Sequence, residues 1–253
     1  MKILEDVIKG LKDDAPVKEV RRGIFWTAVV SKYCGLASTM LYESCSQENN
    51  DNPHPPSFTE KTALELAQLV FSKSISDVSL GLAAINSLLP VDELPCIEIN
   101  AGELLIRLGA DKNVSVIGHF PFSEELRKVA KNLWIIEKRQ KLGDYPERDA
   151  EIYLPRSDII AISSTTLINH TITNLLNLCP ERSIKILLGP STPMSTVLFD
   201  YGIDVISGCK VIDDKKALRY ISEGANFRQL KRTGAIRLIT ITKNDIMLKG
   251  VWV

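Results

Sequence analysis

The feature that most constrains this fold is a change of pattern near Asn113. From there, short apolar runs alternate with helical stretches. Strands are expected at residues 114–118, 133–136, 158–162 and 184–188, and around Val205 and Ile206. Helices are expected at 123–131, 169–178, 195–201 and 213–222, with a loop from Glu137 to about Asp149. Nearly continuous apolar strands with intervening helices imply a parallel sheet buried on both faces.

The earlier chain reads differently. Ile3, Leu4, Val7, Ile8 and Leu11 have helical spacing, stopped by Asp13-Asp14-Ala15-Pro16. Runs at 17–22, 24–31 and 33–40, punctuated by Gly23 and Gly35, predict an antiparallel meander. A polar, proline-rich loop covers 47–57. A helix capped by Thr59 is expected to run to about Lys73, and a second over 76–89 to end at Pro90. The chain thus divides into an α+β domain, residues 1–110, and an α/β domain, residues 111–253, with the boundary at 108–113. A strand is expected at 238–241, and the last segment, to Val253, has no assigned place.

Composition excludes several classes. Among 253 residues, 31 Lys and Arg balance 31 Asp and Glu, which argues against a nucleic-acid binder relying on excess cations. Arg219, Arg228, Lys231, Arg232 and Arg237 gather late, without interleaved aromatics, and read as a solvated face. The uncharged run 159–180 holds ten Ser, Thr, Asn or His residues, too many for a lipid-facing helix. The first residues have no apolar signal core, so a cytoplasmic protein without a membrane span is expected. Cys34, Cys45, Cys96, Cys179 and Cys209 are odd in number and scattered, which fits neither a disulfide framework nor a zinc knuckle.

In doubly wound sheets, ligands bind beyond the carboxyl ends of the strands, where the strand order switches. The strand tips here read Gly118-His119-Phe120-Pro121-Phe122, Glu137, Ser163-Ser164-Thr165-Thr166, Gly189-Pro190-Ser191-Thr192-Pro193 and Ser207-Gly208. Phe120 and Pro121 occupy places where a GxGxxG turn needs glycine, which argues against a dinucleotide. Glu137 lies 19 residues beyond Gly118, near where a ribose-binding acid belongs, so an adenosyl ligand such as S-adenosylmethionine stays open. The hydroxyls of Thr165 and Thr166 and the amide of Asn169 suit helix capping and anion binding equally well. Gly189 allows close approach, and Ser191 is expected to aim its hydroxyl at a ligand from a proline-stiffened turn. His119 sits on a strand tip, as a metal ligand, an acid–base group or a simply hydrogen-bonded side chain. His170 is expected on the following helix and His54 in a solvated loop. Asp144, Glu147 and Asp149 offer carboxylates from the loop after the second strand. No nucleophile–base–orienter triad, GxSxG elbow or Walker A run is present, so no reaction is assigned.

Several motifs together carry a family resemblance. Tyr33-Cys34-Gly35-Leu36-Ala37, Gly81-Leu82-Ala83-Ala84-Ile85-Asn86, Gly118-His119-Phe120-Pro121, Thr165-Thr166-Leu167-Ile168-Asn169-His170-Thr171 and Leu188-Gly189-Pro190-Ser191-Thr192-Pro193 resemble the heavy-metal chelation family, as do Tyr201-Gly202-Ile203-Asp204 and Gly208. The resemblance covers about residues 5–238. It implies a domain like the N-terminal domain of enolase, then a Rossmann-like domain, with a site in the cleft between them. No enolase barrel follows, so enolase activity is not implied. Carried over, that site involves Gly118, His119, Phe120, Pro121, Phe122, Glu137, Thr165, Thr166, Asn169, Gly189, Pro190 and Ser191. Gly35 and Asn86 are expected to face it from the first domain. The partner expected is a small molecule or metal complex, and the cofactor classes left open are a metal ion and an adenosyl ligand. An adenosyl-using enzyme and a non-catalytic small-molecule sensor are the alternatives, and a homodimer is compatible with either.

Overall fold

A computed structural model describes residues 1–40, 57–91, 94 and 96–243. The chain forms two compact units. The first is Met1–Val91 with Cys209–Arg237, and the second is Asp92–Gly208 with the chain from Leu238 onward. The fold class is mixed α/β, with a three-stranded antiparallel sheet and a six-stranded, mostly parallel one.

In the first unit, α1 (Lys2–Lys9) buries Ile3, Leu4 and Val7, while Lys2–Asp6 and Lys9–Glu5 pair on its wet side at 3.2 and 2.6 Å. The expected meander forms as β1 (Glu19–Arg22), β2 (Trp26–Val30) and β3 (Cys34–Ser38). Every residue of β2 is buried, so both sheet faces are covered. Thr62, not Thr59, caps α2 (Ala63–Ala67): its hydroxyl accepts from Glu65 N–H while the Glu65 carboxylate accepts from Thr62 N–H. Then α3 (Ile75–Asn86) lies on β3. Gly35 permits that approach, because a Cβ there would stand 2.1 Å from the Ala83 carbonyl oxygen.

The second unit starts earlier than residue 111. It includes α4 (Ala101–Leu108), whose Asn100 cap accepts from Gly102 N–H at 2.9 Å. The order continues β4 (Asn113–Ile117), α5 (Ser123–Val129), β5 (Asn132–Ile136), α6 (Ala150–Tyr153), β6 (Ile159–Ser163), α7 (Thr165–Ile168), α8 (Ile172–Leu178), β7 (Ile184–Leu188) and β8 (Val205–Val211). Then come α9 (Asp214–Ser222), α10 (Phe227–Arg232) and β9 (Ile236–Thr242). The expected helix at 195–201 is a 3-10 turn, Thr196–Tyr201. The sheet order is β5-β4-β6-β7-β8-β9, with β4 to β8 parallel to their neighbours among those five. Pairing residues rise along β8 as they fall along β9, from Ser207–Thr240 to Ile212–Ala235, so β9 runs antiparallel.

Alternate residues build the second unit's core. Val114, Val116, Ile159, Ala161, Ile186, Leu188 and Val205 share one face with Leu104 and Leu105 of α4 and Leu126 of α5. In the first unit, Ala217, Leu218, Ile221 and Leu230 of α9 and α10 pack with Trp26, Ala28, Val30 and Leu36. That packing explains why Cys209–Arg237 belongs to the first unit rather than to the sequence stretch around it. Among the described residues, no helix is long and apolar enough to cross a membrane.

Candidate functional site at the switch in strand order

β4 is the second unit's turning point: β5 follows it to one side and β6 to the other. Crevices that take ligands form beyond the carboxyl ends of strands at such a point. Two glycines shape the strand ends at this point. Gly118, after β4, has φ +104°, and a Cβ there would lie 3.2 Å from Ser163 Cβ and 3.3 Å from the Phe120 ring. Gly189, after β7, has φ +127°, and its Cβ would lie 2.6 Å from Ser164 Oγ. Side chains are disfavoured at both places by dihedral angle and by space. The strand tips form one row: Ile117 pairs with Ile162 across β4 and β6, while Gly118 N–H bonds the Ile136 carbonyl of β5 (2.9 Å), Ser164 N–H the Leu188 carbonyl of β7 (2.8 Å) and Gly189 N–H the Ser207 carbonyl of β8 (3.0 Å).

The hydroxyl cluster is partly structural. Ser163 Oγ meets Thr165 Oγ1 at 2.8 Å, and both residues are half-buried. Thr166 is buried and donates to the Ser163 carbonyl at 2.6 Å. The expected helix over 169–178 is broken: α7 ends before Asn169, His170 takes φ +59° between helices, and α8 begins at Ile172. Asn169 Oδ1 accepts from Thr171 N–H and Thr171 Oγ1, at 3.2 and 2.7 Å, and so serves that break. After β7 the chain curls back, with Thr192 N–H donating to the Gly189 carbonyl at 3.0 Å. That curl buries Ser191 completely, so its hydroxyl does not present itself at the surface, whereas Pro190 stays half-buried. Thr192 Oγ1 is buried without a hydrogen-bond partner.

The carboxylates divide their roles. Glu137 turns both oxygens to backbone: Oε2 accepts from His119 N–H (3.1 Å), and Oε1 from Lys138 N–H (2.7 Å) and Arg139 N–H (3.2 Å). Its spacing from Gly118 is thus accounted for by joining the tips of β4 and β5, which removes the argument for a ribose anchor. Asp144 Oδ2 accepts from Lys141 N–H at 2.9 Å and faces His119 Nδ1 at 3.1 Å. Its side chain is 1% exposed, that of His119 25%. The signal for this pair was the Leu142-Gly143-Asp144 turn, where Gly143 has φ +90° and lets the loop fold back beside β4. Phe120 and Phe122 stack at 5.1 Å and 11° and pack on the core, while Pro121 is exposed.

Gly35 and Asn86 lie in the first unit. Gly35 is buried under α3, and Asn86 Nδ2 donates to the Leu36 carbonyl at 2.8 Å, so both serve helix-on-sheet packing. The late basic residues are exposed, as expected. Cys45, His54 and the tail beyond Lys243 lie outside the described residues.

A closed metal cage does not fit the donors present. Among the described residues, no three His, Cys, Asp or Glu side chains gather closely enough to hold an ion. Cys34, Cys96, Cys179 and Cys209 are not in disulfides. Burial pushes Cys34 and Cys209 up to about 12 and Cys179 up to about 11, which withholds their thiolates at neutral pH.

Two family models, each described as "Putative heavy-metal chelation", match residues 4–89 and 100–240. A Methanocaldococcus jannaschii protein named "Uncharacterized protein MJ0500" is 30% identical over 197 residues, 75% of this chain and 74% of that one. The crystal structure of a DUF364-family protein of unknown function from Desulfitobacterium hafniense aligns with a TM-score of 0.83 at 26% identity, covering 96% of this chain and 98% of the other. A DUF364-family structure from Pyrococcus horikoshii gives 0.78 at 20% identity over 95% and 98% of the two chains, a likeness of fold alone.

Proposed function

Because the chain belongs to the family described as "Putative heavy-metal chelation", we propose that its second unit binds a small ligand, in particular a metal complex, at the rim made by the ends of β4, β6 and β7. The observation that carries this reading is the pair Gly118 and Gly189, held at positive φ on either side of Ser163 and Ser164 at the switch in strand order. They leave backbone and small hydroxyls at the rim where larger side chains would close it. Ser163 and Thr165 offer hydroxyls to ligand oxygens, and Phe120 offers an apolar wall. The Rossmann-like description of this unit, the enolase-like description of the first unit and a cytoplasmic location belong to the same proposal. Binding without turnover suits the site, since no nucleophile is set against a base there.

The test is recovery of the ligand. Protein purified without an affinity tag is denatured, and the released small molecules and metals are identified by mass spectrometry. A compound retained through dialysis by the wild type, and lost from a Ser163→Ala/Thr165→Val variant with unchanged melting, is the expected result. Equal retention by both proteins, or no retained compound together with flat melting curves across a panel of metal chelates, refutes the reading.

A further inference from the structure

The absence of a three-donor cluster among the described residues limits what kind of metal species can bind, and the His119–Asp144 pair says what the protein adds. We propose that His119 is a single imidazole donor to the metal of a bound chelate, with Asp144 as its positioning residue, so that the chain takes a metal already held by an organic ligand rather than a bare ion. This rests on the rim reading above.

The histidine is held at two points. Its backbone N–H donates to Glu137 Oε2 at 3.1 Å, and its Nδ1 lies 3.1 Å from Asp144 Oδ2. A carboxylate only accepts, so Nδ1 carries a proton toward Asp144, and in the neutral ring that tautomer leaves the lone pair on Nε2. Nε2 has no hydrogen bond among the described residues, and a quarter of the side chain is exposed. A metal-bound histidine characteristically gives its other N–H to a carboxylate or carbonyl, which fixes ring and tautomer and strengthens the donor. The Asp144 carboxylate is itself fixed by Lys141 N–H at 2.9 Å.

One imidazole does not hold a bare ion, since an open zinc site takes about three protein ligands. Glu137 is turned to backbone N–H groups and Asp144 to the imidazole, so neither completes a set. No other described residue completes the set, so on this proposal the remaining donors arrive with the ligand. The Nε2 lone pair then displaces one water from the chelated metal, and no proton leaves the ring. Phe120, half-buried with its ring beside Gly118, supplies apolar surface suited to an organic chelator.

The probe is Cu(II)–iminodiacetate, which leaves coordination positions open, added to the full chain carrying His54→Gln and His170→Gln. The expected result is one complex per chain, with pulsed EPR showing one imidazole. His119→Gln abolishes that signal. Asp144→Asn weakens binding by roughly 10- to 100-fold at unchanged melting temperature. An imidazole signal that survives His119→Gln, an affinity indifferent to Asp144→Asn, or tighter binding of free Cu(II) through several protein donors overturns the inference. The rim reading fails separately. If a compound retained at the rim is indifferent to His119→Gln, only the donor role falls. If the copper chelate needs His119 and Asp144 but is indifferent to the Ser163→Ala/Thr165→Val change, the donor role stands and the rim reading falls.

Discussion

Gly189→Ala isolates the physical basis of the rim. The substitution costs energy in two ways. At φ +127° an L side chain is strained, by about 1–3 kcal/mol. The new Cβ would also stand 2.6 Å from Ser164 Oγ, and overpacking of that kind adds about 1–3 kcal/mol. The two sum to roughly 2–6 kcal/mol. Ser164→Ala removes the clashing oxygen and leaves the Cβ of that residue, 3.7 Å away, in ordinary contact. In that background Gly189→Ala should cost only the dihedral part, so the double-mutant cycle should show a coupling of about 1–3 kcal/mol. Gly143→Ala is the control, because Gly143 has φ +90° with nothing within 4 Å of its Cβ position and so reports strain without a clash. Because the chain has two units, stability should be read by native-state hydrogen exchange at β6 and β7 rather than from one global melt. A cost for Gly189→Ala that is the same with or without the Ser164→Ala change, or no larger than that of Gly143→Ala, refutes the account.

Two other predictions concern the first unit. Thr62→Ala removes half of a reciprocal cap and should cost about 0.5–2 kcal/mol by native-state hydrogen exchange in the first unit, with Thr62→Ser restoring most of it. The thiols of Cys34 and Cys209, pushed up to about 12 by burial, should resist iodoacetamide at pH 8 until urea exposes them. Their sign in stability follows: the contribution is full below the unfolded thiol value, near pH 9, and is lost as pH rises toward 12. Each thiol adds a slope of about 1.4 kcal/mol per pH unit in that window. A Cys34→Ala/Cys209→Ala variant should flatten stability between about pH 9 and 11, and an unchanged slope would count against burial as the cause.

What was legible in the sequence follows from how local each signal is. β7 matches its expected span, residues 184–188, because an apolar run stops at Gly189. The meander was equally visible through Gly23 and Gly35. By contrast α10 leaves no legible period in the sequence, because its six residues include three charges and bury only Leu230 fully. The Thr59 cap was a near miss, since the paired acid that makes a capping box lies three residues after Thr62. Membership of Cys209–Arg237 in the first unit rests on contacts between distant chain segments, which no window of periodicity carries. The site behaved alike. Gly118 and Gly189 announced themselves as turn glycines, but burial of Ser191 and the His119–Asp144 pairing depend on how loops curl back in space.

The same contrast bears on the family's association with heavy metals. Soft metals are held best by thiolates, and a chain using that chemistry exposes low-pKa cysteines together. Here the described cysteines go the other way: Cys34 and Cys209 are half-buried against a hydrophobic cluster, and desolvation keeps their protons on. At the rim, the group with metal-ligand character is an imidazole backed by a buried carboxylate, in a chain of zero formal net charge. Such a site has neither the donor number to strip a metal from a chelator nor the charge to concentrate free cations. On the proposal made above, it recognises the intact complex, with the organic part against the hydroxyls and Phe120 and the metal against His119. On this argument affinity should depend on the chelator as much as on the metal, and exchanging Cu(II) for Ni(II) within one chelate should change binding less than removing the chelator.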